Sequence, residues 1–245
     1  MYFSWPIFLI VLLLGMLQIA VGVLLGRCLP IGMSKSAKPG DEPADIAQAR
    51  TDPLTHLPNR LALDDELVCR IAGWQRTATP LHLLVIDIDR FQKLNDRHGH
   101  LAGDHVLRRI AEVLRGMLPE IDMVARIGGD RFAVILSATN AGDARRLSEA
   151  VRTAVGAEEF CCEKARFPLS VSLGLASAQP GDEPVSLVRR AEEALYAAKR
   201  AGRNGAYFHK GKSPRPMQLS DQTGHDLPQI CLDLRRRVIQ VADAP

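Results

Sequence analysis

Two short stretches carry the residue types that could do chemistry. The first is Gly128-Gly129-Asp130-Arg131-Phe132, which joins the apolar runs Val124 to Ile127 and Phe132 to Leu136. A Gly-Gly pair between two such runs predicts a β-hairpin, because the reversal needs positive φ that glycine supplies at little cost. Glycine at the tip also lets a phosphate or a metal approach the backbone, and Asp130 brings a hard oxygen ligand to the same point. Alone, such a turn reads as an ordinary hairpin, so its chemistry depends on what else faces the tip. The second stretch is Asp87-Ile88-Asp89, which closes the nearly continuous apolar run Leu81 to Ile88. That run predicts a central strand covered on both faces. Alternation puts its two carboxylates on one face at the strand end. Asp89 reads as the N-cap of the short helix that follows. Asp87 has no such role, and an acid closing a buried strand is costly unless it is paired or binds a metal.

The elements that must position these residues alternate along the chain. The prolines of Thr51-Asp52-Pro53-Leu54-Thr55-His56-Leu57-Pro58-Asn59-Arg60 punctuate a turn, and a helix follows to about Gly73. Leu61, Leu67, Val68 and Ile71 give that helix its expected apolar stripe. Phe91 to Asp96 leads into Gly99-His100-Leu101-Ala102-Gly103-Asp104, and a helix runs on to about Leu118 with Leu107, Ile110, Leu114 and Leu118 on its buried side. After the hairpin come a helix over 142–156, a strand over 167–176 and a helix over 185–200. Gly202-Arg203-Asn204 supplies a glycine stop. Tyr207-Phe208 reads as a final edge strand, and from Lys210 onward the pattern fades into a tail containing Arg235-Arg236-Arg237.

Composition narrows the class further. A chain of 245 residues with 47% hydrophobic content supports one buried core plus appendages. A net charge of +3 gives no reason to expect a nucleic-acid partner. The five cysteines show neither metal spacing nor a disulfide framework, which fits a reducing compartment. From Phe3 to Gly26 there is no charged residue. At ~1.5 Å per residue a helix of that length crosses a ~30 Å hydrocarbon layer. No Lys or Arg precedes the run, whereas Arg27, Lys35 and Lys38 follow it. A retained single-pass anchor over 1–26 is therefore expected, with the remainder on the cytoplasmic side. Residues 27–49 then form a linker, 50–209 a folded domain and 210–245 a tail.

Strands alternating with helices, acids at one strand end and a Gly-Gly-Asp hairpin predict a palm-like, ferredoxin-like α+β domain suited to two-metal nucleotidyl transfer. At this point the sequence resembles the GGDEF family of diguanylate cyclases. The likeness covers residues 50–209 through Asp52-Pro53-Leu54-Thr55, Leu57-Pro58-Asn59-Arg60, Asp87-Ile88-Asp89, Phe91, Asn95-Asp96, Gly99-His100, Gly103-Asp104 and Gly128-Gly129-Asp130. It continues in Ser172-Leu173-Gly174, Ala194-Leu195-Tyr196, Lys199 and Gly202-Arg203-Asn204. The resemblance implies that two protomers, each holding one GTP, condense them into cyclic di-GMP and two diphosphates, so that a homodimer is required. It implies that Asp87, the carbonyl of Ile88 and Asp130 hold Mg²⁺ or Mn²⁺, with Asp87 and Asp130 catalytic. It assigns guanine recognition to Asn95 and Asp104 and triphosphate binding to Lys199 and Arg203, while Gly128 and Gly129 let the backbone lie against the phosphates. A bacterial inner-membrane location follows from the resemblance together with the anchor.

Several positions depart from the family. Its signature glutamate is Arg131 here, giving a degenerate Gly-Gly-Asp-Arg-Phe motif. At ~5 Å and an effective dielectric of ~20, one unit-charge pair is worth about 3 kcal/mol, so the reversal beside a divalent ion costs on the order of 10 kcal/mol if the side chain stays put. Gln92 stands where the family has a phosphate-binding lysine; Lys93 is adjacent but points about 100° away on a helix. Pro119 stands where an inhibitory Arg-x-x-Asp motif begins, leaving Asp122 without its arginine. His56 replaces a turn glycine. Two readings follow: a working, slow diguanylate cyclase, or a degenerate module that binds GTP or a protein partner as a regulator.

Overall fold

The sheet is built outward from one strand. In the computed structural model, which describes residues 48–118, 122–162 and 165–217, Leu81–Ile88 forms β1, and every residue of it is buried. It carries only one polar residue, His82, before Asp87, as a strand packed on both faces requires. It pairs antiparallel on one side with β3 (Arg131–Ser137) and on the other with β6 (Val171–Ser177). β2 (Met123–Gly128) extends the first side. β7 (Ala206–His209) lies parallel to β6, and β8 (Pro214–Pro216) is antiparallel to β7. The order is β2-β3-β1-β6-β7-β8. Tyr207 and Phe208 are thus one strand in from the edge, because three residues beyond Lys210 still pair with them. A two-stranded ribbon, β4 (Phe160–Cys162) with β5 (Ala165–Phe167), stands apart, so the predicted strand over 167–176 is split.

Helices cover both faces. α1 (Arg60–Thr77) and α5 (Pro184–Arg200) share a core with Leu83 and Val85 of β1. α3 (His100–Met117) and α4 (Ala141–Ala157) share the other core with Leu84, Ile86 and Ile88. Alternation along β1 assigns its side chains to the two cores in turn. On α1 the buried residues are Ala62, Leu63, Leu67 and Ile71. Leu61 and Val68 are exposed, correcting the expected stripe: the helix presents a single narrow face to the sheet, and these two lie outside it. α5 approaches β6 at Gly174, where a Cβ would lie 2.2 Å from the carbonyl oxygen of Ala191. Backbone against backbone at that spacing admits only glycine.

α2 (Phe91–His98) is short, and Gly99 breaks the chain between it and α3 with φ of 82°. Most of the linker, Pro119, the anchor expected over 1–26 and the tail from 218 lie outside the described residues. Among the described residues no helix is long and apolar enough to cross a membrane.

Candidate active site

The hairpin reverses at Gly128 (φ 144°) and Gly129 (φ 42°), which occupy the positive-φ conformations that the sequence pattern demands. The tip is held by a residue that the motifs did not single out. Arg126 donates from Nε and Nη2 to the carbonyl of Gly129 at 3.1 and 2.7 Å, and from Nη1 to both oxygens of Asp52 at 3.1 Å. Asp52 also accepts from the backbone N–H and hydroxyl of Thr55. Burial raises the Asp52 carboxyl, but Thr55 and Arg126 outweigh that and hold it below the usual range. The Asp-Pro-Leu-Thr turn therefore anchors the hairpin through Arg126. An arginine two residues before the glycines, with an acid upstream, was the available signal.

Pairing of β1 with β3 sets Asp87 opposite Arg131. Asp87 is 2% exposed, and its Oδ1 accepts from Lys199 Nζ at 2.6 Å while its Oδ2 accepts from Arg131 Nε at 3.2 Å. Burial pushes the Asp87 carboxyl up, and the nearby Asp130 adds to the rise; Lys199 and Arg131 pull it down without cancelling it. Arg131 keeps 46% of its side chain exposed and lies 3.8 Å from Glu192 of α5. The cation standing at the family's glutamate position is bonded to the buried strand-end carboxylate. Asp130 itself is half-buried at the tip, and its backbone carbonyl accepts from the N–H of Ile88 at 3.2 Å.

Asp89 does not cap α2. β1 ends at Ile88, so strand alternation no longer governs Asp89, and its side chain turns toward the end of β6. There it accepts from Ser170 Oγ at 2.7 Å, Ser172 Oγ at 2.6 Å and the N–H of Asn204 at 2.9 Å. The cap position passes to Arg90, at φ 58° and with no side-chain cap bond. The two carboxylates of the Asp-Ile-Asp motif thus have separate tasks. Asp87 faces cations, and Asp89 ties three segments together.

Asn95 on α2 and Asp104 on α3 lie on adjoining helices. Gly103 permits this closeness: a Cβ there would meet Asn95 Oδ1 at 2.0 Å. Asn95 Oδ1 is buried without a hydrogen-bond partner, and such an atom calls for a ligand or another explanation. Gln92 is exposed and donates to Asp96 Oδ1 at 3.0 Å. Lys199, expected at a triphosphate, is engaged by Asp87, and Arg203 is exposed in the left-handed conformation at φ 68°. His56 also sits at φ 55°, the conformation glycine would take there, so its substitution costs on the order of 1 kcal/mol. Among the described residues no three His, Cys, Asp or Glu side chains cluster closely enough to hold a metal. Asp87 and Asp130 bring hard carboxylate oxygens to this end of the sheet, and the negative charge of Asp130 adds to the rise of the Asp87 carboxyl.

A mixed sheet flanked by helices, with an acid-tipped glycine hairpin beside a buried strand-end carboxylate, defines a palm-like α+β domain. The chain matches the family described as "Diguanylate cyclase, GGDEF domain" over residues 49–205 and belongs to it. It is 43% identical over 157 residues to diguanylate cyclase DgcP of Pseudomonas aeruginosa, covering 64% of this chain and 23% of that one. It is 36% identical over 199 residues to diguanylate cyclase TpbB of the same species, covering 80% and 46%. Each alignment thus spans less than half of the curated relative. Among solved structures, the coiled coil and GGDEF domain of DgcB from Caulobacter crescentus with c-di-GMP aligns with TM-score 0.63 at 37% identity, over 65% of this chain and 85% of that one. The active GGEEF domain of a diguanylate cyclase from Vibrio cholerae aligns with TM-score 0.59 at 30% identity, over 63% and 98%.

Proposed function

We propose that this domain binds GTP with the machinery of a diguanylate cyclase and that Arg131 holds back its chemistry. The observation that carries the reading is the Arg131–Asp87 contact at 3.2 Å, which sets a guanidinium on the carboxylate that a divalent ion would use. Guanine recognition falls to Asn95, whose buried Oδ1 awaits a donor, and to Asp104 beside it. Arg203 and Lys199 supply charge for the triphosphate, and the glycine tip lets the backbone approach the phosphates. Asp87, the carbonyl of Ile88 and Asp130 would hold Mg²⁺ or Mn²⁺, which supplies neutralisation of the charge that develops at the transferring phosphoryl group. Cyclisation needs a second protomer facing the first, brought there by the membrane anchor over 1–26 or by a partner. The solved relative SiaD, in complex with its activator SiaC, is a precedent for a protein partner.

The second reading, a cyclase working without restraint, is favoured by the exposure of Arg131, which lets it swing to solvent. One experiment separates the two. Full-length protein is assayed for cyclic di-GMP from GTP with Mg²⁺ or Mn²⁺, beside Arg131→Glu and an Asp130→Ala control. Restrained chemistry gives a wild-type rate near the control and a gain of about tenfold or more in Arg131→Glu, most of all when combined with Gln92→Lys. A wild-type rate equal to that of Arg131→Glu, and well above the control, favours the unrestrained cyclase instead.

A further inference from the structure

A cavity of about 930 Å³ opens beside α2. Of the residues assigned above to nucleotide or metal, only Arg203 lines it, so it is separate from the hairpin tip and from the Asn95–Asp104 pair. Its walls come from distant parts of the chain. Arg90 precedes α2, Lys93 and Arg97 lie on α2, and Arg203 belongs to the glycine loop after α5. All four are exposed, and none forms an ion pair with a described residue. A fifth cation, Arg152 of α4, is fixed by Glu149 at 2.7 Å and by Asn204 Oδ1 at 2.9 Å. Among the described lining residues the only carboxylate is Asp89, and both of its oxygens are already taken by Ser170, Ser172 and the N–H of Asn204.

Scattered surface arginines usually find acids or spread apart. Here the fold gathers like charges around one concavity with no free acid among its described lining residues, which raises the local concentration of anions. Strain is concentrated in the same place. Arg90, Arg203 and Asn204 are non-glycine residues at φ 58°, 68° and 42°, held in a region that costs L-residues energy. One wall carries His98 stacked on Phe167, with ring centroids 4.7 Å apart. A volume of this size falls within the range of small-ligand sites.

We propose that this cavity is a second anion site that takes a diphosphate group, either free diphosphate or the diphosphate of a nucleotide whose base lies along the His98–Phe167 wall. Arg203 borders both the cavity and the nucleotide site. On the reading that GTP binds at the hairpin, a ligand here competes for the cation that would hold its triphosphate, and each ligand weakens the other. Lys93 then contributes to this second site, and does not substitute for the lysine missing at Gln92.

The test is calorimetric titration of the full-length protein with inorganic diphosphate and, separately, with ADP, which lacks the guanine edge that Asn95 and Asp104 would read. The Lys93→Glu/Arg97→Glu variant is titrated in parallel. Both side chains are solvent-exposed, and circular dichroism checks that the variant folds. The expected result is binding of at least one probe, weakened about tenfold or more in the variant and falling with added salt. Diphosphate binding as tightly as ADP identifies the free anion as sufficient, and ADP binding alone identifies a nucleotide. No binding of either probe, or equal binding by wild type and variant, overturns the proposal. GTP is titrated into wild type and Asn95→Ala as a separate arm. Loss of that arm alone sinks the nucleotide reading while leaving the cavity result standing.

Discussion

Two buried aspartates each face a cation from α5, and their carboxyls shift in opposite directions. Asp182 meets Arg190 in a bidentate pair, with Nη1 at 2.7 Å and Nη2 at 2.5 Å, and also accepts from Ser186 Oγ and the N–H of Gln179. Burial raises its carboxyl, but these donors outweigh the rise and hold it below the ordinary value. Asp87 meets Lys199 and Arg131, yet burial and the neighbouring Asp130 leave its carboxyl above the ordinary value. The difference lies in the partners. Arg190 is 8% exposed and also donates to the carbonyl of Ser177, so leaving Asp182 would strand a charge in a buried position. Lys199 and Arg131 are 28% and 46% exposed and can leave for water. A carboxylate held by buried donors closes a structure, whereas one held by part-exposed cations can exchange them for a ligand.

The largest effect expected from breaking this contrast comes at the saturated pair. Asp182→Ala strands Arg190 without its partner in a buried position, and unfolding free energy falls by about 3–5 kcal/mol. Chemical denaturation monitored by circular dichroism reads this loss, and a fall below about 1 kcal/mol would erase the distinction.

Asp122 provides an intermediate case. One oxygen accepts from the N–H of Ser137 at 2.9 Å and the other is buried without a partner, so burial pushes its carboxyl up to about 7. The folded state therefore holds a proton there that the unfolded chain has released, and stability falls as pH rises from about 4 to about 7. Asp122→Asn removes that ionisation. A gain on the order of 2 kcal/mol at pH 8, shrinking toward zero near pH 4, is expected in paired denaturation curves. A gain independent of pH would show that ionisation is not the cause.

The smallest change in stability belongs to Asp87→Ala, because both of its cations can turn to solvent; a shift below about 1 kcal/mol is expected. The same substitution should abolish any cyclic di-GMP formation that Arg131→Glu releases. A large loss of stability with activity intact would reverse the roles assigned to the two aspartates.

Much of this molecule was legible in one dimension. The nearly continuous apolar run of Leu81 to Ile88 pointed to a central strand, and Gly128-Gly129 between two apolar runs pointed to a turn. Leu107, Ile110 and Leu114 repeat at helical spacing, so the buried side of α3 followed. These features are local: backbone sterics and hydrophobic periodicity settle them within a few residues. Asp89 was misread because a cap is the local expectation after a strand. Its actual partners, Ser170, Ser172 and Asn204, are far along the chain and arrive only when β6 and the loop after α5 close on β1. The bond from Arg131 to Asp87 depends likewise on the register of β1 against β3. The cationic cavity depends on helix and loop packing, because its walls come from α2, α4 and the loop after α5. The order of residues fixed which groups could do chemistry; only packing, by setting register and burial, decided which of them meet and which charges go unanswered.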